Sequence, residues 1–127
     1  NCAPSRACVL SGQYTPRHGI YTVNSSERGD SRTRKLIPVK NKIVLDEENV
    51  TIAEVLQAAG YKTISIGKWH LGDEIFTQHG FEEWRSIEDG YSKYYGKDRN
   101  RDQKSDYWHF LKDLGYKPNN KNNNFRR

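Results

Sequence analysis

Methionine is absent from the 127 residues and cysteine occurs only twice. With Asn1 first and no methionine at all, the chain reads as a fragment of a longer protein, any initiating residue or export signal lying outside it. Cys2 and Cys8 are too few for a disulfide framework, and their spacing is not that of a C-x-x-C zinc or redox motif. No stretch approaches the roughly 18 consecutive apolar residues of a membrane span. No basic start leads into an apolar stretch as in a signal peptide. Leu, Ile, Val and Phe are also scarce, 25 in all, which is near the composition at which a core becomes marginal, so a fully self-sufficient domain is not expected. The net charge of +5 is modest and dispersed; it suits an anionic substrate or simple solubility and decides nothing by itself.

What is present is local punctuation. Pro4 to Ser11 reads as a short helix, with proline near its start and Gly12 as the left-handed residue that ends it, so Cys2 sits at its mouth. From Gln13 to about Lys42, Pro16, Gly19, Gly29 and Pro38 predict an irregular loop excursion. Thr51 and Glu54 form a T-x-x-E capping box for a second helix. Ile52, Val55, Leu56 and Ala59 lie on one face of it, and Gly60 closes it. Tyr61 to Ile66 alternates as a strand that Gly67 ends, giving an α/β unit with Lys68, Trp69 and His70 in the loop at the strand's C-terminal edge. Open α/β sheets usually bind ligands at that edge. Phe81 to Ile87 predicts a second short strand, Tyr91, Tyr94 and Tyr95 an aromatic loop, and Ser105 or Asp106 to Leu114 a third helix with Tyr107, Phe110, Leu111 and Leu114 on one side and Gly115 as its stop. Pro118 to Arg127 is too polar to bury itself.

Two short segments carry chemistry. In Cys2-Ala3-Pro4-Ser5-Arg6 a sulfur at a helix N-terminus meets the positive end of the helix dipole, and Arg6 adds a full charge one turn on, so an anion is favoured there. A cysteine-phosphatase loop is excluded by spacing, because it needs glycines in the cradle and an arginine six positions after the sulfur, where Cys8 stands. In Gly67-Lys68-Trp69-His70, Lys68 and His70 are two residues apart. On extended backbone they share a side, so an ammonium and an imidazole can converge on one tetrahedral anion. His18, His79 and His109 read as structural or surface residues, Trp69, Trp84 and Trp108 as packing, and the run Asp46, Glu47, Glu48 as surface charge before a helix rather than a metal site.

The string C-A-P-S-R-A-C-V-L-S-G resembles the C-x-P-S-R signature of the type I sulfatases with its Leu-(Thr or Ser)-Gly element, and G-K-W-H-L-G resembles that family's G-K-W-H-x-G element, in the expected order. Gln13 stands where the family usually has Arg or Lys. Weaker likeness continues through T-P-R-H-G, A-E-V-L-Q-A-A-G-Y-K-T, H-G-F and D-Y-W-H-F-L-K-D-L-G-Y. The resemblance implies an α/β fold, part of an alkaline-phosphatase-like sandwich, with residues 1–117 in the catalytic domain and 118–127 a polar truncated tail. It implies that Cys2 is oxidised to formylglycine by a formylglycine-generating enzyme, that Arg6 holds it, that Lys68 neutralises sulfate oxygens, and that His70 binds the formylglycine hydroxyl or the sulfate. It also implies calcium or another divalent cation against Cys2's formylglycine oxygen, with the remaining ligands on segments outside this chain. A second histidine and a second lysine of the family are absent as well, so the fragment alone is expected to be inactive. The implied substrate is a sulfated small molecule or glycan, without nucleic acid or a membrane span, and family habit places such proteins outside the cytoplasm: periplasmic, extracellular or lysosomal.

Two alternatives stay open. A phosphonate or phosphate monoester hydrolase could use the same residues. A non-catalytic polyanion-binding module could use Arg99, Arg101, Lys104, Lys117, Lys121, Arg126 and Arg127, although a basic binder has no reason to own both motifs.

Overall fold

Alanines set the first helix in place. In a computed structural model that describes residues 2–23, 41–87 and 102–118, helix α1 (Cys2–Ser11) begins two residues before the expected Pro4 and ends where Gly12 takes φ 65°. Ala3 and Ala7, one turn apart, are 2% and 0% exposed, and their small side chains let the helix settle onto Ile20, Leu45, Trp69, Leu71 and Trp84, the core. The predicted loop excursion opens instead with a single helical turn, α2 (Thr15–His18), which has proline in its first turn and Gly19 at φ 75° as its left-handed stop. Most of the rest of that excursion, the aromatic loop at Tyr91, Tyr94 and Tyr95, and the tail after Pro118 lie outside the described residues.

His18 seals the α1–α2 corner and is fully buried. Its Nδ1 accepts from the Ile20 N–H at 3.1 Å, so the ring proton sits on Nε2, 3.3 Å from the Cys8 sulfur. Burial pushes its pKa below the ordinary 6.5.

The capping box of α3 (Ile52–Ala58) forms as the sequence predicts: Glu54 N–H donates to Thr51 Oγ1 at 3.3 Å, and Thr51 N–H donates to Glu54 Oε2 at 2.6 Å. The Thr51 hydroxyl donates in turn to the His79 carbonyl at 2.7 Å, tying the helix start to the 68–82 connection. The residue α3 buries is Ala53, however, and Ile52, Val55 and Leu56 stay exposed, so the apolar stripe has no cover among the described residues.

Strands β1 (Ile64–Gly67) and β2 (Glu83–Ser86) pair in parallel, with Ile64 opposite Glu83 and Gly67 opposite Ser86. The first is shorter than the predicted Tyr61–Ile66 because Thr63 is used otherwise: its carbonyl accepts from Glu82 N–H at 3.0 Å and Glu83 N–H at 3.1 Å, and its hydroxyl donates to the Gly80 carbonyl at 2.5 Å. Ile64 and Ile66 face outward. A parallel pair needs a long crossover, and here residues 68–82 supply it without a helix among them. Helix α4 (Asp106–Asp113) is capped by Ser105 and docks on the end of β2, Asp106 Oδ2 accepting from the Ser86 N–H at 2.9 Å. Its predicted apolar side is only partly covered among the described residues, Tyr107 and Leu111 being half-buried and Phe110 and Leu114 exposed. No helix among the described residues is long and apolar enough to cross a membrane. The result is a small α/β arrangement around a parallel pair, as expected.

Two outcomes follow for the intact protein. A Cβ on Gly80, at φ 80°, would lie 2.4 Å from Glu54 N, whereas one on Gly60, at φ 87°, meets nothing within 4 Å. Gly80→Ala should therefore cost about 2–5 kcal/mol from left-handed strain plus overpacking, and Gly60→Ala only about 1–2 kcal/mol, both read by urea denaturation. For His18 the folded pKa is depressed, so its contribution is complete above about 6.5 and is lost as the pH falls through that value toward the folded one, the unfolded chain alone taking up the proton. The drop in unfolding free energy between about pH 7.5 and about pH 5.5 should be smaller in His18→Asn, which keeps an acceptor for Ile20 N–H but cannot titrate.

Candidate functional site

The two motifs meet through Arg6. Its Nε donates to the Trp69 carbonyl at 2.8 Å and its Nη2 donates to the Lys68 carbonyl, joining residues 63 and 62 positions apart. A guanidinium presents its N–H groups in a rigid planar fork, which suits two successive carbonyls. Cys2 lies one turn before Arg6 on α1, the i, i+4 spacing at which helical side chains are neighbours. Its thiol is exposed and unbridged, and the first turn of the helix carries no acidic residue to compete for an anion.

The opposite edge of the same two peptide units is held by a carboxylate. Glu74, 2% exposed, accepts from Trp69 N–H through Oε2 at 2.9 Å and from His70 N–H through Oε1 at 2.6 Å. The peptide units on either side of Trp69 are thus gripped at both edges, carbonyls by a cation and amides by an anion, an arrangement aligned with the peptide dipoles. Trp69 itself is anchored in the core: 1% exposed, edge-on to Trp84 at 5.3 Å between centroids and to Phe81 at 6.1 Å, its indole N–H donating to Gln78 Oε1 at 3.0 Å. The reading of Trp69 and Trp84 as packing residues stands.

Of the expected site residues, Arg6 is brought onto the backbone of Lys68 and Trp69, and Cys2 shares its helix. Lys68 is half-buried and His70 is 1% exposed. One expectation is corrected. The loop is not extended through His70, whose φ is 66°, so strand alternation does not dispose Lys68 and His70 toward one side. A left-handed histidine costs about 1–2 kcal/mol, which the flanking hydrogen bonds offset. His18 and His79 are structural as read. The latter's Nε2 lies 3.2 Å from the Leu45 carbonyl and its ring tilts over Trp69 at 5.6 Å. Asp46 pairs with Lys42. Glu74 was missed. Its only sequence signal is an acidic side chain four positions after His70, among sixteen acids.

Both motifs lie inside a stretch that matches known proteins. A family model described as Sulfatase matches residues 1–124. N-acetylgalactosamine-6-sulfatase of Canis lupus familiaris is 37% identical over 86 residues, 65% of this chain and 16% of the relative. Arylsulfatase A of Bos taurus is 40% identical over 93 residues, 68% of this chain and 16% of the relative. N-acetylglucosamine-6-O-sulfatase of Bacteroides thetaiotaomicron is 35% identical over 81 residues, 64% of this chain and 11% of the relative. A crystal structure of Ps i-CgsB in complex with k-i-k-neocarrahexaose aligns with 91% of this chain and 22% of that one, at 22% identity and a TM-score of 0.45. The chain spans under a fifth of the length of these curated relatives.

Lysine has one ammonium and cannot span two carbonyls as the guanidinium does. Arg6→Lys should therefore destabilise the intact protein by about 1–3 kcal/mol in urea or thermal unfolding. An unchanged midpoint would show that the fork contributes nothing.

Proposed function

The chain belongs to the sulfatase family, and from that premise we propose that the protein containing it hydrolyses sulfate monoesters, with Cys2 as the precursor of the nucleophile and Lys68 and His70 as the groups that hold the sulfate. The observation that carries the reading is the fork of Arg6, which joins the C-A-P-S-R helix to the backbone of Lys68 and Trp69. A sulfate monoester is an anion, and attack at sulfur drives further charge onto the leaving oxygen, so the site must supply cations and a strong nucleophile. Lys68 supplies a charge for the sulfate oxygens, and His70 a ring nitrogen for the sulfate or the nucleophile. Arg6 supplies a guanidinium one turn from Cys2 whose remaining N–H groups serve the residue made there.

Cys2 is exposed, which suits access by a formylglycine-generating enzyme. Formylglycine formed from it would supply a hydrated aldehyde, with one hydroxyl for sulfur in exchange for the departing alcohol and a second whose proton loss would restore the aldehyde and free the sulfate. A divalent cation such as calcium fits this chain poorly on its own: among the described residues no group of three or more His, Cys, Asp or Glu side chains comes together to hold one. Cys2's formylglycine oxygen would be one ligand, the others coming from elsewhere, and no step above depends on it. The substrate class is a sulfated small molecule or glycan. The relatives named for 6-sulfated N-acetylhexosamines support the glycan. Export from the cytoplasm is part of the same proposal.

The test is to co-express the intact protein with a formylglycine-generating enzyme, examine the Cys2 peptide by mass spectrometry, and compare sulfate with phosphonate esters as substrates. An aldehyde at Cys2 is expected, with preference for sulfate esters and a loss of activity on the order of 10³-fold or more in Cys2→Ala. Unmodified thiol with full activity in Cys2→Ala would overturn the proposal, and preference for phosphonate esters would move the chain to the neighbouring hydrolase class.

A further inference from the structure

We infer that Glu74 is a positioning residue of this site, a buried carboxylate that sets the disposition of Lys68 and His70 by holding the peptide units between them. The inference rests on the sulfate-ester reading for what those two side chains bind, and on this structure alone for how they are held. The geometry is specific. Glu74 accepts from two consecutive backbone N–H groups, Trp69 at 2.9 Å and His70 at 2.6 Å, with one oxygen for each. The carbonyls of the same two peptide units face the Arg6 fork. Fixing a peptide unit at both edges removes its freedom to rotate about the adjacent φ and ψ, and those torsions direct the side chains on either side.

His70 shows the consequence, since it is held at φ 66°, a conformation that L residues rarely adopt, with its amide on the carboxylate. Glu74 is kept in place by its own backbone, whose carbonyl accepts from the Trp84 indole at 2.6 Å, so the carboxylate is anchored to β2 while it grips the start of the loop leaving β1. Glutamine is nearly isosteric but has only one acceptor oxygen. In Glu74→Gln one of the two amides therefore faces an NH2 group, and the pair of bonds cannot be kept.

The experiment measures the clamp and the sulfate site separately in the intact protein. Hydrogen exchange at the Trp69 and His70 amides reads the clamp whatever substrate is used. Inorganic sulfate binding by calorimetry, with kcat and KM on an aryl sulfate, reads the site. In Glu74→Gln, folded by circular dichroism, at least one of the two amides should exchange at least about tenfold faster, and sulfate affinity and kcat/KM should each fall by about tenfold or more. Glu74→Asp, which keeps the charge and both acceptors on a shorter arm, should lie between the two and serves as the informative variant if Glu74→Gln fails to fold. Unchanged amide exchange, or faster exchange with sulfate affinity and kcat/KM equal to the parent's, would overturn the positioning role while leaving the sulfatase reading in place. A parent protein that neither binds sulfate nor cleaves its esters, yet loses amide protection in Glu74→Gln, would overturn the sulfatase reading and uphold the clamp.

Discussion

A loop that connects two parallel strands without a helix of its own must satisfy its backbone polar groups elsewhere, and in this protein the guanidinium of Arg6 meets that need at the place where the chemistry is expected. By donating to the carbonyls of Lys68 and Trp69 it holds together two segments more than sixty residues apart. The constraint runs in both directions. The fork reaches those carbonyls from a helix whose Ala3 and Ala7 lie against the core, and its bonds in turn tie α1 to the loop. Cys2 takes its position from that same helix.

Trp69 is where packing and polar bonding coincide. Its ring fills the core against Trp84, Phe81 and His79, its indole N–H bonds Gln78, its amide bonds Glu74 and its carbonyl bonds Arg6. The two residues that flank it, Lys68 and His70, thereby inherit a rigid base. The sulfate site proposed above would gain from that rigidity, because charged groups fixed beforehand need not reorganise as charge develops. The buried carboxylate and the half-buried guanidinium are each bonded to backbone groups, the condition under which burying charge is tolerated.

How much of this could be read from the chain depended on range. The Thr51–Glu54 capping box, the left-handed stops at Gly12 and Gly115, the strand before Gly67 and the helix opening at Ser105 depend on neighbours a few residues away, and all appear in the structure. The apolar stripes on α3 and α4 were equally legible, yet Val55, Leu56, Phe110 and Leu114 remain exposed, because periodicity names a face and says nothing of what lies against it. In β1 the isoleucines face outward and Ser65 is half-buried, while Thr63, just before the strand, is buried and committed to hydrogen bonds with the 80–83 segment. The sequence leaves His18 as structural or surface; only the fold shows it fully buried against Cys8 and Ile20.

The sequence by itself determined the family, through C-A-P-S-R and G-K-W-H, and with it the residue types on which the proposed site rests, because such motifs are short strings whose chemistry is written in their side chains. It also determined where helices start and stop, since caps and left-handed glycines act over one turn. Tertiary structure alone decided that Arg6 spends two of its N–H groups on the far motif's backbone, that His70 leaves the extended conformation, and that Glu74, buried beside Asp73, is the acid that accepts from the Trp69 and His70 amides. These are contacts between groups whose separation along the chain bears no relation to their distance in space, and burial of a charge is settled by which backbone donors surround it.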